Sequence, residues 1–131
     1  MADVRELRVA LTVEDFDRAV AFYRDALGLE QLADWTSEDG RVVVLGGGRA
    51  TLELFDAAQA RYVDEIEAGG PVSGPVRLAF AVDDSEATAQ RLVEAGGEQV
   101  APAVTTPWDD RNVRVQSPDG LQLTLFTPAG E

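Results

Sequence analysis

Two stretches decide the fold: residues 8–29, RVALTVEDFDRAVAFYRDALGL, and residues 77–98, RLAFAVDDSEATAQRLVEAGGE. At a constant offset of 69, Arg8 meets Arg77, Ala10 meets Ala79, Val13 meets Val82, Ala26 meets Ala95 and Gly28 meets Gly97. Glu14-Asp15 meets Asp83-Asp84 in the same register. Further along, Leu52-Glu53-Leu54-Phe55 matches Leu123-Thr124-Leu125-Phe126 at an offset of 71. An ordered set of matches of this kind predicts two copies of one unit, differing by two residues within a loop.

Each copy carries the same outline. Leu7 to Val13 alternates apolar and other residues, the period of a half-buried strand. Leu7, Val9, Leu11 and Val13 face one way; Arg8, Ala10 and Thr12 face the other. A helix follows, with Asp15 placed to cap it and Gly28 placed to end it. Phe16, Ala19, Val20, Tyr23 and Leu27 recur at helical spacing, so they are expected in the core, with Phe22 beside them. Three short strands come next, over about 30–35, 41–45 and 50–55, with turns at Glu38-Asp39-Gly40 and Gly46-Gly47-Gly48. The glycine run has neither phosphate-loop spacing nor a following helix, so it reads as a hairpin turn. The second copy predicts a strand over 76–82, a helix over about 85–95, and strands near 99–104, 112–116 and 121–126. Ser117-Pro118-Asp119-Gly120 is a strong turn before the last strand. Between the copies, 57–68 can form a helix with Tyr62, Val63 and Ile66 on one side, followed by a Gly/Pro-rich flexible connector.

Composition then removes whole classes of chemistry. The 131 residues include no cysteine and no histidine. No disulfide, thiolate metal site, His-based metal site or Ser-His-Asp triad can exist within the chain. All 11 basic residues are Arg, so no lysine nucleophile or Schiff base is available. The net charge of −13 argues against binding nucleic acid or an anionic membrane. No apolar run is long enough to span a bilayer. The opening MADVRELRV lacks the layout of a secretory signal, so a cytoplasmic chain is expected.

The repeated strand–helix–three-strand unit resembles the vicinal oxygen chelate superfamily, which includes glyoxalase I, extradiol dioxygenases and bleomycin-resistance proteins. Carrying the resemblance are residues 9–29, with Phe22-Tyr23 and then Leu27-Gly28; the strand Thr51–Phe55; Leu78–Asp84; and Pro118-Asp119-Gly120. It implies an α+β fold in which two βαβββ modules form one curved, mixed-sheet cup. Module one would span about 5–56, a connector about 57–74 and module two about 75–128, all within a single domain. It also implies a homodimer. The family's metal enzymes place four ligands inside the cup, at positions that match Arg8, Glu53, Arg77 and Thr124. Two guanidiniums, always protonated, would repel a cation, and one carboxylate with one hydroxyl cannot complete the set. No metal and no other cofactor is therefore expected, and the metal-free bleomycin-resistance-like branch is the better match.

Strand parity names what lines the cup. With Arg8 and Glu53 inward, Ala10, Thr12, Thr51 and Phe55 follow. From the second copy come Arg77, Ala79, Ala81, Asn112, Arg114, Gln116, Gln122, Thr124 and Phe126. Small side chains leave volume, rings supply walls and polar groups supply handles, which suits an organic ligand. Trp35 and Trp108 are placed to stack on it; the family's resistance proteins carry a Trp in a loop similar to that of Trp108. The bland alternatives are a Trp at a dimer interface or core edge, and Arg8, Glu53 and Arg77 forming a buried ion network that replaces the metal. Asp83-Asp84 and Asp109-Asp110 read as caps or solvated loop charges. The leading expectation is a non-catalytic protein that sequesters a bulky aromatic natural product or antibiotic. Arg8, Trp35, Glu53, Phe55, Arg77, Trp108, Asn112, Arg114 and Thr124 would be its ligand-binding residues. The alternative is a metal-free lyase or isomerase with Glu53 as general base.

Overall fold

A computed structural model describes residues 4–118 and 120–129; Asp119 of the predicted turn and the first three residues of the opening stretch lie outside the described residues. The elements run β1 (Val4–Thr12), α1 (Phe16–Val20, continuing as a π-helical segment Ala21–Ala26), β2 (Glu30–Asp34), β3 (Val42–Gly47) and β4 (Ala50–Phe55). Then come α2 (Ala57–Ala68), β5 (Val76–Val82), α3 (Ser85–Glu94), β6 (Glu98–Gln99), β7 (Val104–Thr105), β8 (Asp110–Gln116) and β9 (Gln122–Pro128).

All nine strands join one mixed sheet in the order β2-β3-β4-β1-β5-β9-β8-β6, with β7 pairing β8. Inside each module the first strand lies parallel to the last, β1 with β4 and β5 with β9. The modules meet where β1 runs antiparallel to β5, with Arg8 opposite Ala79 and Ala10 opposite Arg77. The repeat in the sequence is thus a repeat in topology, and it brings the two marked strands together at the centre of the sheet.

Two helices, α1 and α3, cover the apolar face. Asp15 and Asp84 cap α1 and α3, accepting from the Arg18 and Ala87 amides at 3.1 and 3.0 Å. Each cap contributes about 1 kcal/mol. Phe16, Val20, Val43, Leu45 and Leu54 form one core cluster, with Leu11, Val13 and Tyr23 packed on it. Val82, Ala89, Val113, Val115 and Leu125 form its counterpart.

Three expectations need correction. Leu27, by helical spacing, and Phe22, as its neighbour in the helix, were expected in the core, yet they are 64% and 63% exposed. Beyond Val20 the chain winds as a π-helix, and the wider turn rotates Leu27 off the apolar stripe, while Phe22 lies about 120° from that stripe even at α-helical spacing. The strand expected near 99–104 is broken into β6 and β7, because Pro102 has no N–H to offer the ladder. The connector after α2 is tied down rather than free: the Val72 and Ser73 amides both donate to Asp64, at 3.2 and 3.1 Å.

Candidate functional site

The concave face of the sheet encloses a cavity of about 490 Å³. Arg8, Trp35, Glu53, Phe55, Arg77, Trp108, Asn112 and Thr124 all stand on its wall, with Ala10, Ala79 and Phe126 between them. Arg114, expected beside them, does not. It is fully buried, donating through Nη1 to Asp64 at 3.1 Å and through Nη2 to Glu67 at 2.7 Å. Its strand parity is inward, but α2 covers that part of the face, so Arg114 lies behind the cavity wall.

The connecting helix completes the site, contributing Gln59, Tyr62, Val63 and Glu67 to the wall. Its start is seated on the β2–β3 turn. A Cβ on Gly40 would lie 2.3 Å from the backbone nitrogen of Gln59, so only glycine permits this approach. Its far end carries two buried carboxylates. Asp64 accepts from Arg77 at 2.9 Å and from the Ser73 hydroxyl at 2.8 Å. Glu67 accepts from Arg114, from Thr124 at 3.0 Å and from Asn112 at 2.9 Å. Reading the helix by its apolar residues missed this pair. A signal was present: parity put Arg77 and Arg114 inside, where each needs a counter-charge, and Asp64 and Glu67 share one helical face.

Arg8, Glu53 and Arg77 do not form the network that was the bland expectation. Arg8 pairs with Glu6 at 2.8 Å and lies 5.0 Å over the Phe126 ring and 5.7 Å over Trp35. Arg77 pairs with Asp64 and lies 5.3 Å over Phe55. Among the described residues, Glu53 has neither a hydrogen bond nor a close ion pair. Burial pushes its carboxyl up to about 7, and the attraction of Arg8 only partly opposes the rise. Asp110, also on the wall, is raised by burial too, against the pull of Arg8. Asp64 is held below the usual carboxylate range: burial raises it, but Arg77 and the Ser73 hydrogen bonds outweigh that.

The mouth is aromatic. Trp35 follows β2, its amide donating to the Val42 carbonyl at 3.0 Å. Trp108 projects from a tight turn in which the Asp109 amide reaches the Thr106 carbonyl at 2.9 Å and Asp109 takes a left-handed φ of 67°. An aspartate tolerates this conformation better than most residues. Tyr62 of α2 meets Trp108 with ring centroids 6.5 Å apart. Trp35 and Trp108 remain 52% and 44% exposed, which leaves part of each ring open to a guest.

A divalent metal does not fit the four positions that the resemblance implies. Arg77 is locked to Asp64, Arg8 places a second guanidinium beside Glu53, and the Thr124 hydroxyl is committed to Glu67. One free carboxylate remains, which cannot hold such an ion against two fixed positive charges. Among the described residues, no group of three or more acidic side chains is arranged to hold a metal.

Comparison with known proteins agrees with this architecture. The description "Glyoxalase/Bleomycin resistance protein/Dioxygenase superfamily" matches residues 7–125. An uncharacterized protein of Bacillus subtilis (strain 168), YraH, is 28% identical over 124 residues, covering 92% of this chain and 95% of the relative. Among solved structures, the hypothetical protein BH1468 from Bacillus halodurans C-125 superposes with a TM-score of 0.72 at 14% identity, covering 99% and 98% of the two chains. Streptomyces coelicolor methylmalonyl-CoA epimerase (Q60A), in complex with 2-nitronate-propionyl-CoA, gives 0.67 at 22% identity, covering 98% and 100%. With its doubled topology and a match over nearly its full length, the chain belongs to the glyoxalase/bleomycin resistance protein/dioxygenase superfamily.

Proposed function

We propose that the cup binds and sequesters a flat aromatic organic cation, such as a natural product or antibiotic, without a metal. One observation carries this reading: Glu53 is buried and unpaired against a cavity walled by aromatic rings. A cationic guest would supply the missing charge, and Trp35, Trp108, Phe55 and Phe126 would supply stacking and apolar area. Each aromatic pair adds about 0.5–1.5 kcal/mol beyond area burial. The local charge agrees in sign. On and just behind the wall, Glu6, Glu53, Asp64, Glu67 and Asp110 outnumber Arg8, Arg77 and Arg114. Arg8 would orient polar groups of the guest from the rim.

A thermal-shift screen with aromatic cationic antibiotics, run with and without added divalent metal, tests the proposal. Stabilisation by metal-free ligand is expected, about 2.7 kcal/mol at a hundredfold excess over Kd. A panel without any shift, together with a crystal structure whose cup is filled by side chains, would end it.

Glu53 also supports a second reading. A buried carboxyl titrating near neutrality suits a general base, and proton abstraction or isomerisation would be the reaction class. Glu53→Gln separates the two: turnover lost with binding kept supports catalysis. The homodimer implied by the resemblance has a candidate face in the exposed Phe22, Leu27 and Leu32, the last on the edge strand β2.

A further inference from the structure

We infer that the cup takes a dication: two carboxylates, Glu53 on β4 and Asp110 on β8, each meet one of two separated positive charges on an elongated aromatic guest. The inference rests on the cup binding an organic cation, and it adds how many charges that cation carries and how they are placed.

The charges of the concave face do not cancel. Three arginines stand on or just behind the wall, and each has its own carboxylate: Arg8 has Glu6 at 2.8 Å, Arg77 has Asp64 at 2.9 Å and Arg114 has Glu67 at 2.7 Å. Glu67 is on the wall too, but its oxygens are taken by Arg114, Thr124 and Asn112. Glu53 and Asp110 remain. Both line the cavity, and among the described residues neither makes a close ion pair. Glu53 is 8% exposed, while Asp110 is half-buried and open to a guest. Burial raises both carboxyls, the sign expected where water is lost and no counter-ion replaces it. A carboxylate in that state gains more from a cation than a fully solvated one does.

The two are also set apart. Strands β1, β5 and β9 run between β4 and β8 in the sheet. That separation is four strand spacings, roughly 19 Å measured along the sheet and less across the cup. Both carboxylates attract Arg8, whose guanidinium lies over the Phe126 and Trp35 rings, so an aromatic surface stretches between them. At the far end the Trp108 side chain hydrogen-bonds Asp110, which sets that ring beside the second charge. A compact cation can meet one of these carboxylates. A rigid biaryl with a charge at each end can meet both, its rings lying against the walls between.

Two rigid probes of one shape test this: 1-methyl-4-phenylpyridinium, with one fixed charge, and 1,1′-dimethyl-4,4′-bipyridinium, with one at each end. Neither titrates, so pH acts on the protein alone. Affinities are read by isothermal titration calorimetry at about pH 8.5, above the Glu53 midpoint of about 7, and at roughly physiological salt, which screens loose binding to the acidic surface. The wild-type protein is expected to prefer the dication by about tenfold. Asp110→Asn, which keeps an oxygen for the Trp108 indole, is expected to abolish that preference by weakening the dication alone. Glu53→Gln is expected to weaken both probes, so the two carboxylates are read separately. Asp109→Asn makes the same change of charge on the exposed neighbour, whose left-handed φ asparagine tolerates, and is expected to keep the preference. Equal affinities in the wild type, a preference that survives Asp110→Asn, or one that Asp109→Asn removes as fully would overturn the inference and leave the cup reading standing. Failure of both probes to bind would remove the reading and the inference together. The wild-type ratio decides even if a variant does not fold.

Discussion

Arg8 and Arg77 hold the same place in the two copies of the unit, yet their surroundings have made them different residues. Arg77 is sealed, 4% exposed, against an Asp64 that is equally buried. Arg8 is 28% exposed and pairs with a Glu6 that is 40% exposed. Burial lowers the Arg77 guanidinium, against the pull of Asp64, whereas Arg8 is raised by Glu6 and Glu53 in spite of its burial. The source of the asymmetry is α2. Its carboxylates Asp64 and Glu67 bond side chains of the second module and of the connector, and among the described residues nothing equivalent covers Arg8. A duplicated unit thus supplies two identical cations, and one inserted helix converts one of them into structure and leaves the other at the rim of a cavity.

The comparison breaks most visibly at Arg77. Arg77→Met would leave Asp64 with one fewer cation in a dry environment, and a loss of about 3–5 kcal/mol is expected in chemical denaturation. The matching Arg8→Met is expected to change stability by less than about 1 kcal/mol, since its ion pair is partly solvated. Equal effects would contradict the assignment of roles.

Glu53 gives the next largest effect. Its pKa in the folded state, about 7, lies above its ordinary 4.5, so the folded protein binds the extra proton between those values and loses stability as pH rises through them. Glu53→Gln is therefore expected to stabilise the protein by about 2–3 kcal/mol near pH 8, and to have little effect below about pH 4.5. Arg8→Met should move the Glu53 titration further upward, because Arg8 is its strongest attraction; NMR of the side-chain carboxyl carbon would show it.

Gly40→Ala sharpens the role of α2. The added methyl group would strike the Gln59 backbone, and an overpacking cost of about 1–3 kcal/mol is expected. Hydrogen exchange should then quicken in α2 and around Asp64, but not around Arg8. Smallest are the effects of Trp35→Ala and Trp108→Ala on stability, under about 1 kcal/mol because both residues are about half exposed at the mouth. Their effect on ligand affinity should be about 0.5–1.5 kcal/mol each, read by isothermal titration calorimetry with whichever antibiotic the screen returns.

The sheet was legible because the repeat is written in the strands that build it. β5 runs over 76–82 as the alternation of Arg77, Ala79 and Ala81 against Leu78 and Phe80 requires. Parity also put Arg8, Glu53, Phe55, Arg77, Asn112 and Thr124 on the concave face, where all six line the cavity. Two physical features lay outside that reading. A π-helical turn changes the period on which helix faces are read, so Leu27 came out misplaced. The inward face of α2 is mixed: Tyr62 and Val63 line the cavity, as the apolar spacing suggests, but Asp64 and Glu67 are buried with them, and an apolar reading says nothing of those. The same misreading placed Arg114 in the cavity, since parity fixes a direction and takes no account of what comes to lie over it.

The most direct test of the central claim, an unpaired carboxylate in an aromatic cup that awaits an organic cation, is the pH dependence of binding in metal-free buffer. Between about pH 5.5 and pH 8.5, affinity for 9-aminoacridine is expected to rise by about tenfold or more, through a midpoint at or below about 7, as Glu53 gives up its proton. Glu53→Gln should flatten the profile, and added metal should not alter it. A flat profile in the wild type, or Zn, Ni, Fe or Mn recovered stoichiometrically with the protein and required for turnover, would contradict the account.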